Sequence, residues 1–294
     1  MRKILGTLAA ATSLLAQTAS GQTIGQGNGH QSAALPGATL ELFTYRPANC
    51  SPGLFLLVFH GVNRDAGPYR DHARPLADRL CAIVVAPLFD QERFPRDLYQ
   101  YGGIIREGRM AGAGHRTIDL LDPLVAWTRA AVDAPQMPYV LLGHSAGAQF
   151  ADRAAAFTAT GAARIAVANP STWVMPSLTE SAPFGFGGVK PASHAEEALR
   201  AYLARPLIVL LGQADTGTHN LAMSPEAMAQ GPYRLARGRN AFRAAQAVAA
   251  SRNWPFGWTL VEVPGIGHNA TAMFDASQTT AALARASAPS SGGN

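Results

Sequence analysis

Ser145 stands between Gly143 and Gly147 in the stretch YVLLGHSAGAQF, at the abrupt end of an apolar run. A serine with glycines two residues to either side suits a strand-to-helix reversal that projects its hydroxyl from the carboxyl end of a sheet. Larger neighbours would clash in so tight a turn. The same turn puts backbone N–H groups at a helix start, where they can stabilise an oxyanion. The alternative is a turn that merely needs small residues, so the partners of a nucleophile must be sought elsewhere in the chain.

A serine hydroxyl is a weak nucleophile until a neighbouring base takes its proton. Eight histidines are available. His268 alone follows a final apolar run and a Gly/Pro turn, in LVEVPGIGHNA, where a loop can bring it back toward Ser145. The imidazole in turn needs a carboxylate to fix its tautomer and stabilise its charge. Asp215 follows the run PLIVLL after the three-residue turn GQA and is better placed than Glu180, Glu226 or Glu262. His144 reads as a packing residue and His60 as a brace for its own loop. The N–H groups of Ala146 and of Val62, with Asn63 as the alternative to Val62, are the candidate oxyanion donors. The candidates follow one another as Ser, Asp, His, the order of one particular serine-hydrolase architecture.

Such a site requires elements that end in loops on one side. Apolar runs of strand length recur at residues 40–45, 54–59, 82–86, 139–142, 164–168, 206–211 and 258–263. Several are continuous in Val, Ile and Leu, as expected of strands buried on both faces. Segments with helical spacing lie between them, such as GPYRDHARPLADRL and LARGRNAFRAAQAVAASR. The expectation is one α/β domain over residues 40–286, with a mostly parallel sheet, helices on both faces and no large lid. Residues 22–39 are expected to be flexible and 287–294 to form a disordered tail.

Met1-Arg2-Lys3, an apolar centre and the small residues of TASGQT predict a signal peptide over residues 1–21 and a secreted or periplasmic protein. No later apolar run is long enough to span a bilayer. The net charge of +5 is scattered, which argues against nucleic acid as a partner. No obligate protein partner is inferred. Cys50 and Cys81 precede two apolar runs; if these are adjacent parallel strands, a disulfide is geometrically allowed and export favours it. Two buried thiols are the alternative.

The segments HGVNRDA, GHSAGAQF, GQAD and VPGIGH resemble those of α/β-hydrolases, over residues 40 to 285. The likeness is greatest to secreted esterases related to polyhydroxybutyrate depolymerases and feruloyl esterases. That resemblance implies acylation of Ser145, with Asp215 and His268 in support and no metal or organic cofactor. His-Gly-Val-Asn replaces the more glycine-rich oxyanion loop. The expected activity is hydrolysis of small or polymeric carboxylic esters. Acyl transfer by the same triad and a non-catalytic binding role are the alternatives. Two long loops, 87–116 and 169–193, offer aromatics for an apolar substrate, chiefly Tyr101, Trp173 and Phe184, with Tyr99 and Phe186 beside them.

Overall fold

A computed structural model of the chain describes residues 23–284. The expected signal peptide at 1–21 and the tail at 287–294 lie outside the described residues. An eight-stranded sheet is built from β1 (Gly27–Leu35), β2 (Ala38–Arg46), β3 (Leu54–Phe59), β4 (Ala82–Pro87), β7 (Tyr139–His144), β8 (Arg164–Ala168), β9 (Leu207–Gly212) and β10 (Thr259–Val263). The remaining strands, β5 (Ile105–Arg106) and β6 (Arg109–Met110), form a separate small hairpin. Strand order in the large sheet is β1-β2-β4-β3-β7-β8-β9-β10. β2 runs antiparallel to both its neighbours, and every pairing from β4 to β10 is parallel.

The continuous apolar runs are explained by burial on both sides. Alternate residues of β3, Phe55, Leu57 and Phe59, pack with α3 (Leu121–Ala131), α4 (Ala146–Phe157), α5 (Ala192–Ala204) and α7 (Arg234–Arg252). The intervening Leu54, Leu56 and Val58 pack with α1 (Ala66–Leu80), α8 (Ala270–Asp275) and α9 (Ser277–Ala284) on the opposite face. A strand with apolar side chains on both faces needs a helical layer over each, and the crossovers between parallel strands supply them. Cys50 and Cys81 are bridged, with their Cα atoms 6.1 Å apart. Closing a loop across 31 residues constrains the unfolded chain by about 3–4 kcal/mol in the chain-entropy account.

The N-terminal boundary needs correction. Residues 27–35, expected to be flexible, form the edge strand β1, paired along its length with β2 through a two-residue turn at Pro36-Gly37. The first six residues of GNGHQSAAL are only partly buried or exposed, so the strand carries little apolar signal. The Pro-Gly pair before ATLELF is the clue that a hairpin begins here; Gly37 takes φ of 92°.

The two long loops are folded onto the body of the protein. The first contains the short helix α2 (Arg96–Tyr99), and its Phe89 and Tyr99 stack at 5.1 Å and pack on Phe150 of α4. The second buries Trp173, Val174 and Phe186 in the core. Among the described residues neither loop forms a helical lid.

Candidate active site

β7 ends in the turn that the glycine spacing predicts. Ser145 has φ of 58° and ψ of −115°, and its carbonyl already accepts the first helical hydrogen bond of α4, from Gln149 N–H. A non-glycine residue in this region stores about 1–3 kcal/mol of strain, which the packing around it must sustain. A Cβ on Gly143 would lie 2.2 Å from the Gly147 carbonyl oxygen, and one on Gly147 would lie 2.1 Å from that of Phe59. Both glycines are therefore required by backbone contact. The second contact also sets the turn against the end of β3, the strand that leads into His60 and Val62.

His268 and Asp215 leave the carboxyl ends of adjacent strands, β10 and β9. Their loops are joined by hydrogen bonds from Gln213 N–H to the Val263 carbonyl and from Ala214 N–H to that of Ile266. The structure brings the three predicted side chains into one relay. His268 Nδ1 lies 2.7 Å from Asp215 Oδ2, and His268 Nε2 lies 3.0 Å from Ser145 Oγ. A carboxylate only accepts, so Nδ1 carries the imidazole proton and Nε2 accepts from the serine hydroxyl. Glu262 is engaged instead by Arg239 and Gln213.

His144 and His60 perform the structural tasks the sequence suggested. The buried His144 packs its ring 4.6 Å from that of His268, and its Nδ1 lies 3.2 Å from the Tyr69 hydroxyl. Burial holds it well below the ordinary histidine range, so it is neutral. His60 Nε2 accepts from Phe89 N–H, and Nδ1 therefore donates to the Gly61 carbonyl at 3.0 Å. Its own carbonyl accepts from the Tyr99 hydroxyl.

Burial pulls the His60 imidazole down to about 4. The unfolded chain then binds a proton below pH 6.5 that the folded protein refuses until about pH 4, so stability falls as pH drops through that window. Asp152 acts in the opposite sense, because burial pushes its carboxyl up; comparison with a His60 variant removes that contribution. The stability advantage of wild type over His60→Gln is expected to shrink by about 2–3 kcal/mol between pH 7 and pH 4.5. Denaturant unfolding at the two pH values measures this, and a constant difference would contradict it.

The aromatic candidates divide. Trp173 is fully buried and is corrected from a cleft residue to a core residue, held by hydrogen bonds between its backbone and Gln230. Tyr99 and Phe186 are also fully buried. Tyr101 and Phe184 are half-buried and meet edge to face at 5.2 Å, with the Arg153 guanidinium under both rings. Asn63 is exposed and Val62 half-buried.

Two residues at the site escape the sequence reading. Asn169, with φ of 49°, accepts from Gly212 N–H through Oδ1 and donates to the Gly267 carbonyl through Nδ2, tying the Asp215 and His268 loops together. The Asn-Pro pair ending β8 was its only signal, since asparagine tolerates left-handed backbone. Arg234, the first residue of α7, places its guanidinium 3.5 Å from Asp215 Oδ1; nothing in its spacing marks it out.

A mostly parallel sheet with a strained serine turn after a central strand, and an acid and a histidine on the loops after β9 and β10, defines an α/β-hydrolase. Two solved structures refine that class. LpqC, a poly(3-hydroxybutyrate) depolymerase from Bordetella parapertussis, is 35% identical with a TM-score of 0.80, over 87% of this chain and 90% of that one. Poly(aspartic acid) hydrolase-1 from Sphingomonas sp. KT-1 is 32% identical with a TM-score of 0.81, over 87% and 98%. The chain belongs to this family and is an α/β-hydrolase esterase resembling the poly(3-hydroxybutyrate) depolymerases. An S-formylglutathione hydrolase from Agrobacterium tumefaciens, 15% identical with a TM-score of 0.52 over 86% of this chain and 95% of that one, shares the fold. No protein-family model and no curated protein matches the chain. Among the described residues no helix is long and apolar enough to cross a membrane.

Proposed function

We propose that the protein is exported and hydrolyses carboxylic esters, of polyesters or of aryl alcohols, through an acyl-enzyme on Ser145. The observation that carries this reading is the unbroken relay Asp215–His268–Ser145 at 2.7 and 3.0 Å. His268 Nε2 takes the hydroxyl proton as Ser145 Oγ attacks the ester carbonyl carbon. Asp215 holds the resulting imidazolium in place. The tetrahedral oxyanion is held by the N–H groups of Ala146 and Val62. Ala146 opens α4, so its N–H has no intrahelical carbonyl to bond. One such donor is typically worth about 3–4 kcal/mol in the transition state.

When the tetrahedral centre collapses, the C–O bond to the alcohol breaks and the imidazolium returns its proton to the departing oxygen. Water then repeats the sequence on the acyl-serine, giving the carboxylic acid and free Ser145. The half-buried Tyr101 and Phe184 are the proposed apolar wall for the acyl or aryl group. LpqC and poly(aspartic acid) hydrolase-1, both similar to this chain, are named for polymer chains, which favours a polymeric substrate here. The Cys50–Cys81 bridge favours an oxidising compartment.

The test is release of p-nitrophenol from acetate, butyrate and octanoate esters by wild type and by Ser145→Ala. Turnover is expected in wild type and at background in the variant, with the chain-length profile sizing the acyl site. A variant with wild-type turnover would overturn the assignment of the nucleophile.

A further inference from the structure

Asp215 divides its two carboxylate oxygens between unlike partners. Oδ2 takes His268, while Oδ1 faces the guanidinium of Arg234 at 3.5 Å. Asp215 and Arg234 are both 1% exposed, so the pair is shielded from solvent screening. The start of α7 is fastened to the acid's loop. Leu235 N–H donates to the Asp215 carbonyl and Arg234 Nη2 to the His219 carbonyl. One turn further on, the buried Arg237 bonds the carbonyls of Gly231 and Ser171 and the sulfur of Met228 in α6 (Pro225–Gln230). Among the described residues Arg237 has no carboxylate within ion-pair distance. The buried Arg234 guanidinium therefore stands alone in facing the Asp215 carboxylate among the charged pairs of the described residues.

From this geometry we infer that Arg234 is a positioning residue that sets the acid limit of catalysis, by opposing the arrival of a second positive charge on His268. The inference rests on the proposed triad. The groups facing His268 are Asp215, Ser145 and the neutral His144 ring from β7; behind His144 lie Tyr69 and His72 of α1. Arg234 is the fixed cation beside the relay. With Asp215 alone behind it, the imidazole would hold a proton more firmly, and the free base needed for attack would be lost at a higher pH. With Arg234 sharing the carboxylate, the base stays free further into acid. Each ester cleaved by this chemistry yields a carboxylic acid, so an enzyme working along a polymer acidifies its own surroundings. A buried cation behind the acid is a fixed provision against that product.

The experiment is kcat/KM for p-nitrophenyl butyrate from pH 4.5 to 8.5, for wild type, Arg234→Met and Arg234→Lys. Arg234→Met is expected to move the acid midpoint of the profile upward by about one pH unit, and Arg234→Lys to leave it within about 0.3. An unmoved midpoint in a folded Arg234→Met protein would overturn the inference. So would an equal shift in Arg234→Lys, since geometry and not charge would then be responsible. If Arg234→Met fails to fold, Arg234→Gln serves as the neutral variant under the same criteria. Ser145→Ala runs in the same assay: residual wild-type turnover there refutes the triad itself, whereas an inactive Ser145→Ala with unmoved Arg234 profiles refutes only the role of Arg234.

Discussion

Asp215→Asn is expected to lower kcat by roughly three to four orders of magnitude while KM changes by no more than a few-fold. The carboxylate accepts from His268 Nδ1 at 2.7 Å, which leaves Nε2 free to receive the Ser145 proton 3.0 Å away. An asparagine that turns its amide nitrogen toward His268 donates there. Nδ1 must then accept, and the proton moves to Nε2, where it blocks the serine. Asp215 is buried behind His268, so ground-state binding is expected to be left largely alone. Steady-state kinetics with p-nitrophenyl butyrate measures both constants, and a fall in kcat of less than about tenfold would exclude Asp215 from the role assigned to it.

The second large effect is on stability. Asp152 and Arg153, two turns along the helix that begins at Ser145, are fully buried and adjacent. Arg153 donates to the carbonyl and hydroxyl of Thr172, while Asp152 accepts from Val174 N–H and from the Tyr202 hydroxyl. Thr172 also donates to Gln149, one turn after Ser145. This network holds the start of the second long loop against α4. Removing the carboxylate in Asp152→Ala leaves the guanidinium buried without its counter-charge and the Val174 N–H without its acceptor. The expected cost is about 3–5 kcal/mol, read from denaturant unfolding, and a loss below about 1 kcal/mol would contradict it.

The sheet was legible in the sequence because strands buried on both faces must be apolar throughout. The runs at 54–59 and 164–168 coincide with β3 and β8, and the others fall within a residue or two of their strands. β1 was missed for the complementary reason: an edge strand with half its side chains in solvent carries no such run. The hydrogen-bonded trio Asp215, His268 and Ser145 was legible because the fold fixes where each member must stand along the chain. Ser145 needs a glycine-flanked turn, and Asp215 and His268 need loops that follow strands.

The supporting residues were not legible. Asn169 acts through its backbone angle and two loop contacts, and Arg234 through a charge delivered from the start of a helix nineteen residues further on than Asp215. Neither role has a sequence period or spacing. Trp173 was misread because proximity to the end of β8 says nothing about which way a side chain turns. It turns inward, where Gln230 holds its backbone at both N–H and carbonyl.

Acylation of Ser145 can be observed by mixing the protein with p-nitrophenyl trimethylacetate, whose bulky acyl group slows attack by water. The products are read both as p-nitrophenol and by mass spectrometry of the acid-quenched peptides. The expected result is a burst of p-nitrophenol equal to the enzyme concentration and a trimethylacetyl group on the peptide containing Ser145. Turnover without a burst, with that peptide unmodified or the acyl group on another residue, would contradict it.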